Sequence, residues 1–174
     1  MTLDYQLFQI LHSLAGKYWL MDGLAVFFAE YLPYLLLLVF LFLIFFTHRN
    51  WQSRRYFIFF SVFSALLARG LFVEIIRFFY YRPRPFITLD FEPLIGHVAN
   101  GAMPSGHATM FFALATLMFF INKKHLWYFL LGALLISIGR IVVGVHWPLD
   151  VVVGAVIGVI SVVAARMVIS KCKV

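Results

Sequence analysis

The hydrophobic positions of the chain fall into five long apolar stretches that short polar turns separate. In chain order, these stretches cover residues 20–47, 56–81, 104–121, 126–143 and 146–169. An α-helix rises about 1.5 Å per residue, so about 20 apolar residues cross a hydrocarbon core of about 30 Å. The pattern therefore predicts an all-α integral membrane helix bundle with five transmembrane helices.

A shorter amphipathic segment precedes the first span. Within residues 3–14, leucine and isoleucine recur at helical spacing, and most polar residues fall elsewhere. The segment is too short to cross a bilayer, so we expect an interfacial helix within residues 1–19. The transmembrane bundle then occupies residues 20–170. Repeats and linkers are not evident, so residues 1–174 are predicted to form a single membrane-embedded domain.

Two of the predicted spans contain residues that are unusual in a membrane helix. Pro33 is expected to break or kink the first span. The second span contains Arg69, Glu74 and Arg77. Ionisable groups inside a span are costly and usually face a protein interior or a wet cavity. For Arg69, simple pairing with Glu74 is the favoured interpretation.

Composition and charge support a membrane protein and predict its orientation. The chain is 64% hydrophobic and 12% charged, with a formal net charge of +7, whereas soluble domains are about a quarter charged. Basic residues without acidic ones occupy the turns at 48–55 and 122–125 and the tail at 171–173. The positive-inside rule makes that side cytoplasmic and places the 82–104 loop outside. We expect no nucleic-acid partner, because the sequence predicts no line of basic residues on a soluble face.

Other classes of site are not indicated by the sequence. Cys172 is the single cysteine, which excludes an internal disulfide and favours an inert thiol. Residues 1–20 do not resemble a cleavable signal peptide. Carboxylate pairs and His/Asp clusters with metal-ligand spacing are lacking, so we expect neither a metal nor another cofactor. An obligatory protein partner is not evident.

The stretch 139–150 carries an arginine, a histidine and an aspartate beside the last predicted span. His146 and Asp150 are four residues apart, so they share a helix face if the helix begins near His146. Asp150 could then orient the imidazole and leave its other nitrogen basic. Arg140 supplies a planar fork that suits phosphate oxygens. Taken alone, the stretch would be an interfacial salt bridge that contains a histidine.

Two further segments are predicted to reach the same membrane face. Arg77 and Arg84 are seven residues apart, almost two helical turns, and lie on nearly one face if the helix persists. The run Pro104, Ser105, Gly106, His107 opens the third span, where free N–H groups and the helix dipole suit an anion. Together, three arginines, a helix N-terminus and two histidines predict a phosphate-binding pocket.

Several nearby polar residues have a plainer interpretation. Arg82 is as well explained by a headgroup anchor as by a part in catalysis. Ser105 alone is more often only a helix cap. The remaining histidines are most simply interfacial or loop residues; they are His12, His48, His97 and His125.

The three segments resemble the tripartite signature of the type 2 phosphatidic acid phosphatase family, which also includes vanadium haloperoxidases. That signature reads Lys-x6-Arg-Pro, then Pro-Ser-Gly-His, then Ser-Arg-x5-His-x3-Asp, and the chain matches its order and spacing over roughly residues 20–170. Arg77 stands where the family has lysine, which keeps the charge and changes its reach. Gly139 stands where the family has serine, which removes one hydroxyl donor.

The resemblance implies a role for each matching residue. His146 would be the nucleophile that forms a phosphohistidine, with Asp150 orienting it. His107 would protonate the leaving oxygen and later activate the hydrolytic water. The phosphate oxygens would be held by Arg77, Arg84, Ser105, the backbone N–H of Gly106, and Arg140. The family is metal-independent, which agrees with the expectation of no cofactor.

The implied function is an integral membrane lipid phosphatase of the plasma (inner) membrane whose active site faces the exterior. By family analogy, the first substrate is undecaprenyl diphosphate, which would be hydrolysed to undecaprenyl phosphate. A phosphatidylglycerophosphate or phosphatidate phosphatase is the alternative. A non-catalytic lipid-phosphate binder or transporter is a further alternative, because transporters also aim helix N-termini at anions. An aspartate-backed histidine opposite a second histidine favours the enzyme, and five spans exclude a soluble haloperoxidase.

Overall fold

The computed structural model describes residues 2–47 and 50–171, and every regular secondary-structure element within these ranges is a helix. Seven helices follow one another: α1 (Leu3–His12), α2 (Trp19–Thr47), α3 (Trp51–Phe79), α4 (Pro85–Thr88), α5 (Gly106–Ile121), α6 (Lys123–Val142) and α7 (Pro148–Lys171). The all-α prediction is therefore confirmed. His48 and Cys172, and parts of the basic turn 48–55 and the basic tail 171–173, lie outside the described ranges.

Four helices are long and apolar enough to cross a membrane, namely α2, α3, α6 and α7. The predicted third span corresponds to α5, which has 16 residues. Its length of about 24 Å is less than the thickness of a typical hydrocarbon core. The five predicted spans are thus matched by four helices of sufficient length and one shorter apolar helix.

Pro33 does not break the first span, because α2 continues from Trp19 to Thr47; the kink, the other predicted outcome, stays a prediction. A π-helical stretch at Phe27–Tyr31 lies just before the proline. Such a stretch shifts the backbone hydrogen bonds by one residue, which accommodates a position that donates none. The second π-helical stretch, Leu66–Phe72, lies within α3; it contains Arg69 and precedes Arg77.

Helix α5 lies at the centre of the bundle, between α6 and α7. Small residues allow α7 to approach its backbone closely. A Cβ atom at Gly154 would lie 2.7 Å from the carbonyl oxygen of Ser105, and one at Gly158 would collide with the carbonyl of Thr109. Glycine is therefore required at both positions. This contact brings the first turn of α7 against the start of α5, where Ser105 N donates to the carbonyl of Asp150 at 2.9 Å.

Helix α1 forms as predicted and packs on the loop between α6 and α7. Phe8 is buried, and its ring centroid lies 4.9 Å from that of Trp147. The Nδ1 atom of His12 lies 2.8 Å from the carbonyl oxygen of Val142, at the end of α6. The amphipathic segment therefore covers the loop that carries His146.

Candidate active site

A cavity of about 370 Å³ brings the three sequence segments together. One part of its lining is cationic or polar and comprises Arg69, Arg77, Arg84, His97, Asn100, Gly106, His107, Arg140 and His146. The other part is largely apolar and comprises Pro33, Tyr34, Leu37, Met110 and Phe111. Six of the eight predicted site residues line this cavity, and the other two, Ser105 and Asp150, lie behind its wall. A charged end joined to an apolar end fits an amphiphilic anion.

His146 lies in the turn between α6 and α7 and is only 2% exposed. The helix was predicted to begin near this histidine, and α7 begins two residues later, at Pro148. The Nε2 atom lies 3.3 Å from Arg84 Nη1. Burial, together with the charge of the Arg84 guanidinium, holds the pKa of His146 well below its usual range. The imidazole is therefore neutral and keeps a lone pair available for nucleophilic attack.

Asp150 lies beside His146 and is fully buried. Its Oδ2 atom lies 3.5 Å from His146 Nδ1, and the same oxygen accepts a hydrogen bond from the Trp147 N–H at 2.8 Å. Its Oδ1 atom accepts from Arg82 Nη1 at 2.7 Å. The carboxylate is thus held in place by Arg82 and Trp147 while one oxygen faces the imidazole.

The structure places Arg82 behind Asp150 and outside the cavity. Its guanidinium forms ion pairs with both Asp150 and Asp4 of α1, and it lies 5.3 Å from the Trp147 ring centroid. The headgroup-anchor interpretation is therefore wrong for Arg82. The sequence carried no sign of this pairing, because the two carboxylates lie 78 and 68 residues away along the chain.

Arg84 is almost completely buried, and protein oxygens occupy most of its donors. The Asn100 side chain accepts from Nη2 at 2.7 Å, and the carbonyl of Val145 accepts from Nη1 at 2.8 Å. Burial, and then the positive charges of Arg77 and Arg140, lower the pKa of Arg84 to about 10. Arg84 therefore joins the 82–104 loop to the turn that carries His146 and presents one edge to the cavity.

Arg140 and Arg77 retain unused donors. Arg140 is 2% exposed, and its Nε and Nη2 atoms have no hydrogen-bond partner among the described residues. Arg77 Nη2 donates to the carbonyl of Pro104 at 3.1 Å, while its Nε has no partner in the described part of the chain. Unpaired buried donors are costly. A bound oxyanion would satisfy these groups, so both side chains are arranged for a ligand.

The N-terminus of α5 forms one wall of the cavity. Ser105 is fully buried, and its Oγ accepts from the N–H of Ala108 at 3.5 Å, so the hydroxyl caps the helix. Gly106 and His107 face the cavity. The backbone and the imidazole at this helix start, rather than the Ser105 hydroxyl, are the groups that a ligand in the cavity meets.

His97 was interpreted from sequence as a loop histidine, and the loop folds into the cavity. Its ring centroid lies 6.3 Å from that of His146, and its Nδ1 lies 3.1 Å from the carbonyl of Val98. Burial, together with nearby guanidinium groups, lowers its pKa to about 4. The loop has no helical periodicity, so the sequence offered no signal for the positions of His97 or Asn100.

Two acidic residues lie near the arginines. The predicted pairing of Arg69 with Glu74 is present, but Arg69 also lines the cavity. Glu30 lines a second cavity of about 250 Å³, which shares His97, His107 and Arg140 with the first. Among the described residues, the main cavity itself is lined by four arginines and three histidines and by no carboxylate. Its field favours an anion with several negative charges.

The chain is similar to proteins of known family. The model of the PAP2 superfamily matches residues 58–173. The undecaprenyl-diphosphatase BcrC of Bacillus subtilis is 32% identical over 161 residues, which cover 91% of this chain and 80% of that protein. The lipid A 1-phosphatase of Rhizobium johnstonii is 34% identical over 123 residues, which cover 67% of this chain and 48% of that protein.

The fold is also similar to a solved structure. The crystal structure of Aquifex aeolicus LpxE superposes with a TM-score of 0.78 and 30% sequence identity, and the match covers 96% of each chain. The family model spans the three segments that meet at the cavity, and the apolar helices match those of a membrane relative. The chain is therefore a multi-pass membrane protein that belongs to the PAP2 superfamily of phosphatases.

Proposed function

We propose that this protein hydrolyses undecaprenyl diphosphate to undecaprenyl phosphate and phosphate through a phosphohistidine intermediate. The observation that supports the proposal is the position of His146. Its neutral imidazole faces a cavity with four guanidinium groups at one end and apolar side chains at the other. The charged end suits a diphosphate, and the apolar end suits the start of a lipid chain.

In the first step, His146 Nε2 attacks the terminal phosphorus atom. A P–N bond forms, the bond to the bridging oxygen breaks, and His107 donates a proton to the leaving undecaprenyl phosphate. The unpaired donors of Arg77 and Arg140 stabilise the charge on the transferring oxygens. Gly106 contributes its backbone N–H, while Ser105 holds the helix start in place.

In the second step, His107 accepts a proton from water, whose oxygen attacks the phosphohistidine. The P–N bond breaks, and phosphate leaves. Asp150 orients the imidazole throughout, with Arg82 and Trp147 fixing the carboxylate. Side chains supply every proton and charge that the two steps require, so the proposal involves no metal or other cofactor.

The choice of substrate follows the relative that is named an undecaprenyl-diphosphatase, which aligns with 91% of this chain. The second candidate is a lipid phosphomonoester, which the relative named a lipid A 1-phosphatase favours. Phosphatidylglycerophosphate and phosphatidate belong to that same class. The two candidates differ in whether the leaving group is a phosphate or an alcohol.

We further propose that the site faces the exterior of the plasma membrane. Five basic residues lie at the start of α3, the start of α6 and the end of α7: Arg54, Arg55, Lys123, Lys124 and Lys171. If they share the cytoplasmic side, α3 and α5 both cross the bilayer, which gives five spans. The 16-residue α5 then requires local thinning of the bilayer or protection by its neighbours.

Phosphate release by purified protein in excess chelator tests the function. The substrates are undecaprenyl diphosphate, lipid A 1-phosphate, phosphatidylglycerophosphate and phosphatidate, each compared by kcat/KM. We expect undecaprenyl diphosphate to be preferred. Preference for a monoester would establish the second candidate, and binding without turnover would indicate a lipid-phosphate binder.

The nucleophile assignment has its own test. His146→Ala should lower turnover by about 10³-fold or more, because the covalent step is lost. The variant should keep its melting temperature within a few degrees of wild type. A folded variant that retains substantial activity would remove His146 from this role.

A further inference from the structure

Arg69 belongs to none of the three signature segments, yet it lines the same cavity. It lies in the π-helical stretch Leu66–Phe72 of α3, eight residues before Arg77. Its side chain is 47% exposed. A guanidinium within a membrane-spanning helix requires water, an anion or both. The cavity supplies room for both.

The position of the guanidinium is set by the start of α5. A Cβ atom at Gly106 would lie 2.8 Å from Arg69 Nε and 3.5 Å from its Cζ. The guanidinium therefore packs on the glycine backbone, one residue before His107. Only glycine allows this approach without displacing the arginine. Arg69 is thus held next to the proposed leaving-group acid.

Glu74 restrains Arg69 from the other side. The Arg69 Nη1–Glu74 Oε1 ion pair is the hydrogen bond that Arg69 makes among the described residues. Glu74 is 56% exposed and does not line the cavity. The pair therefore fixes the orientation of Arg69 without placing a negative charge in the cavity, and other donors of the guanidinium remain for a ligand.

The cavity changes character along α5. Gly106 and Met110 lie four residues apart on one helix face, as do His107 and Phe111, whose ring centroids are 6.4 Å apart. Gly106 and His107 lie at the charged end of the cavity, and Met110 and Phe111 lie at its apolar end. Arg69 lies against Gly106, so it flanks the path from the nucleophile toward the lipid chain.

A single phosphoryl group does not require all four arginines. Arg77, Arg84 and Arg140 surround His146 and match the three terminal oxygens of a phosphoryl in transfer. A lipid diphosphate carries a second phosphate between that phosphoryl and the lipid, and this phosphate gains negative charge as the bridging bond breaks. The fourth arginine, Arg69, packs on Gly106, one residue before the proposed proton donor His107.

We propose that Arg69 binds the leaving phosphate of a lipid diphosphate, in a subsite completed by the backbone at Gly106, and thereby selects diphosphates over monoesters. This inference rests on the proposed phosphatase function and specifies the substrate class of the same site. Arg69 stabilises the leaving group through a charge-assisted hydrogen bond. A lipid monoester, whose leaving group is an alcohol, places no phosphate there.

The test compares farnesyl diphosphate with farnesyl monophosphate, which share one lipid chain. For Arg69→Gln, we expect kcat/KM for the diphosphate to fall about 10- to 100-fold, the usual effect of one lost hydrogen bond to a charged group. The monophosphate rate should stay within about threefold. Arg69→Lys should recover part of the diphosphate activity. Equal losses for both substrates, or no loss for either, would overturn the proposal.

The matched control is Arg55→Gln, which removes the same charge from an exposed position at the start of α3. It should leave the ratio of the two rates unchanged. If Arg55→Gln changes the ratio as Arg69→Gln does, the effect comes from overall charge and the subsite does not exist.

A binding measurement separates this proposal from the proposed function. Methylenediphosphonate, which carries two phosphonates, should raise the melting temperature of wild type more than methylphosphonate does, and Arg69→Gln should lose that difference. If wild type hydrolyses no lipid diphosphate, the proposed function fails, and this measurement still decides the subsite. If wild type hydrolyses diphosphates but Arg69→Gln keeps both the ratio and the difference, the subsite fails alone.

Discussion

Arg82 Nη1 lies 2.7 Å from Asp150 Oδ1, on the side of the carboxylate away from the cavity. The same guanidinium pairs with Asp4 of α1, and the other oxygen of Asp4 accepts from the N–H of Leu149 at 2.8 Å. The amphipathic N-terminal helix is therefore connected to the aspartate beside His146. Any motion of α1 changes the surroundings of this carboxylate.

Arg82→Gln should reduce kcat with little change in KM, because the arginine positions Asp150 and does not reach the cavity. Removal of one partner from a buried ion pair also costs stability, typically about 3 kcal/mol. Phosphate-release kinetics and thermal unfolding measure the two effects. A rise in KM at unchanged kcat would instead indicate direct contact with substrate.

Asp4→Asn separates two roles of Asp4, namely its charge, which pairs with Arg82, and its oxygen, which accepts from the N–H of Leu149 at the start of α7. Asparagine still offers an oxygen to the N–H of Leu149, since it is as good a cap as aspartate, but it no longer neutralises Arg82. We expect a smaller loss of kcat than for Arg82→Gln. Asp22→Asn is the control, because Asp22 accepts from the Gly16 N–H, away from the site. Equal effects of the two asparagine variants would dissociate α1 from catalysis.

His97 should make stability depend on pH. Its pKa is lowered from 6.5 to about 4, first by burial and then by Arg84 and Arg140. The folded state therefore binds a proton less readily than the unfolded chain. The resulting stability is fully present above pH 6.5 and is lost as the pH falls through 4.

Melting temperatures of wild type and His97→Gln across this range measure that contribution. As the pH is lowered from 6.5 to 4, the melting temperature of wild type should fall more than that of His97→Gln. Titration of the acidic residues that both proteins share affects both melting temperatures equally and does not change their difference. Parallel curves would show that His97 is not protected from protonation in the folded protein.

The orientation of the chain can be tested by cysteine labelling in a Cys172→Ser background. A membrane-impermeant reagent applied to intact cells should label Glu92→Cys, in the predicted outer loop, and leave Lys124→Cys unlabelled. Glu92 is preferable to Asp90, whose φ of 51° suits few residues. The opposite pattern would place the site on the cytoplasmic side and contradict the proposed exterior orientation.

Orthovanadate should inhibit at lower concentration than phosphate in the presence of chelator. Vanadate readily adopts the trigonal-bipyramidal geometry of the transferring phosphoryl, and His146 would be its apical ligand. The preference should disappear in His146→Ala, measured by the melting-temperature shift with each anion. Equal potency of the two anions in wild type would favour a simple phosphate-binding pocket.

The sequence by itself determined which segments are helices and which residues are predicted to bind and transfer phosphate. Hydrophobic runs predicted the membrane helices to within a few residues, because helix formation in an apolar medium is local and satisfies its own backbone groups. The spacing within the three signature segments likewise lies in the primary structure. The start of α7 is one example: the span was predicted from residue 146, and the helix begins at Pro148, which leaves His146 in the turn.

Only the tertiary structure decided how those segments meet. The contact of Gly154 with Ser105 sets α7 against α5. That contact brings Asp150, of the third signature segment, against Ser105, of the second. Arg82 reaches Asp150, and Arg69 reaches Gly106, across distances that no periodicity encodes. Side chains far apart in sequence meet only when helices pack in one register, and small residues at a few contacts select that register. The types and local spacing of the candidate site residues are therefore encoded in short sequence segments, while their arrangement around one cavity arises from helix packing.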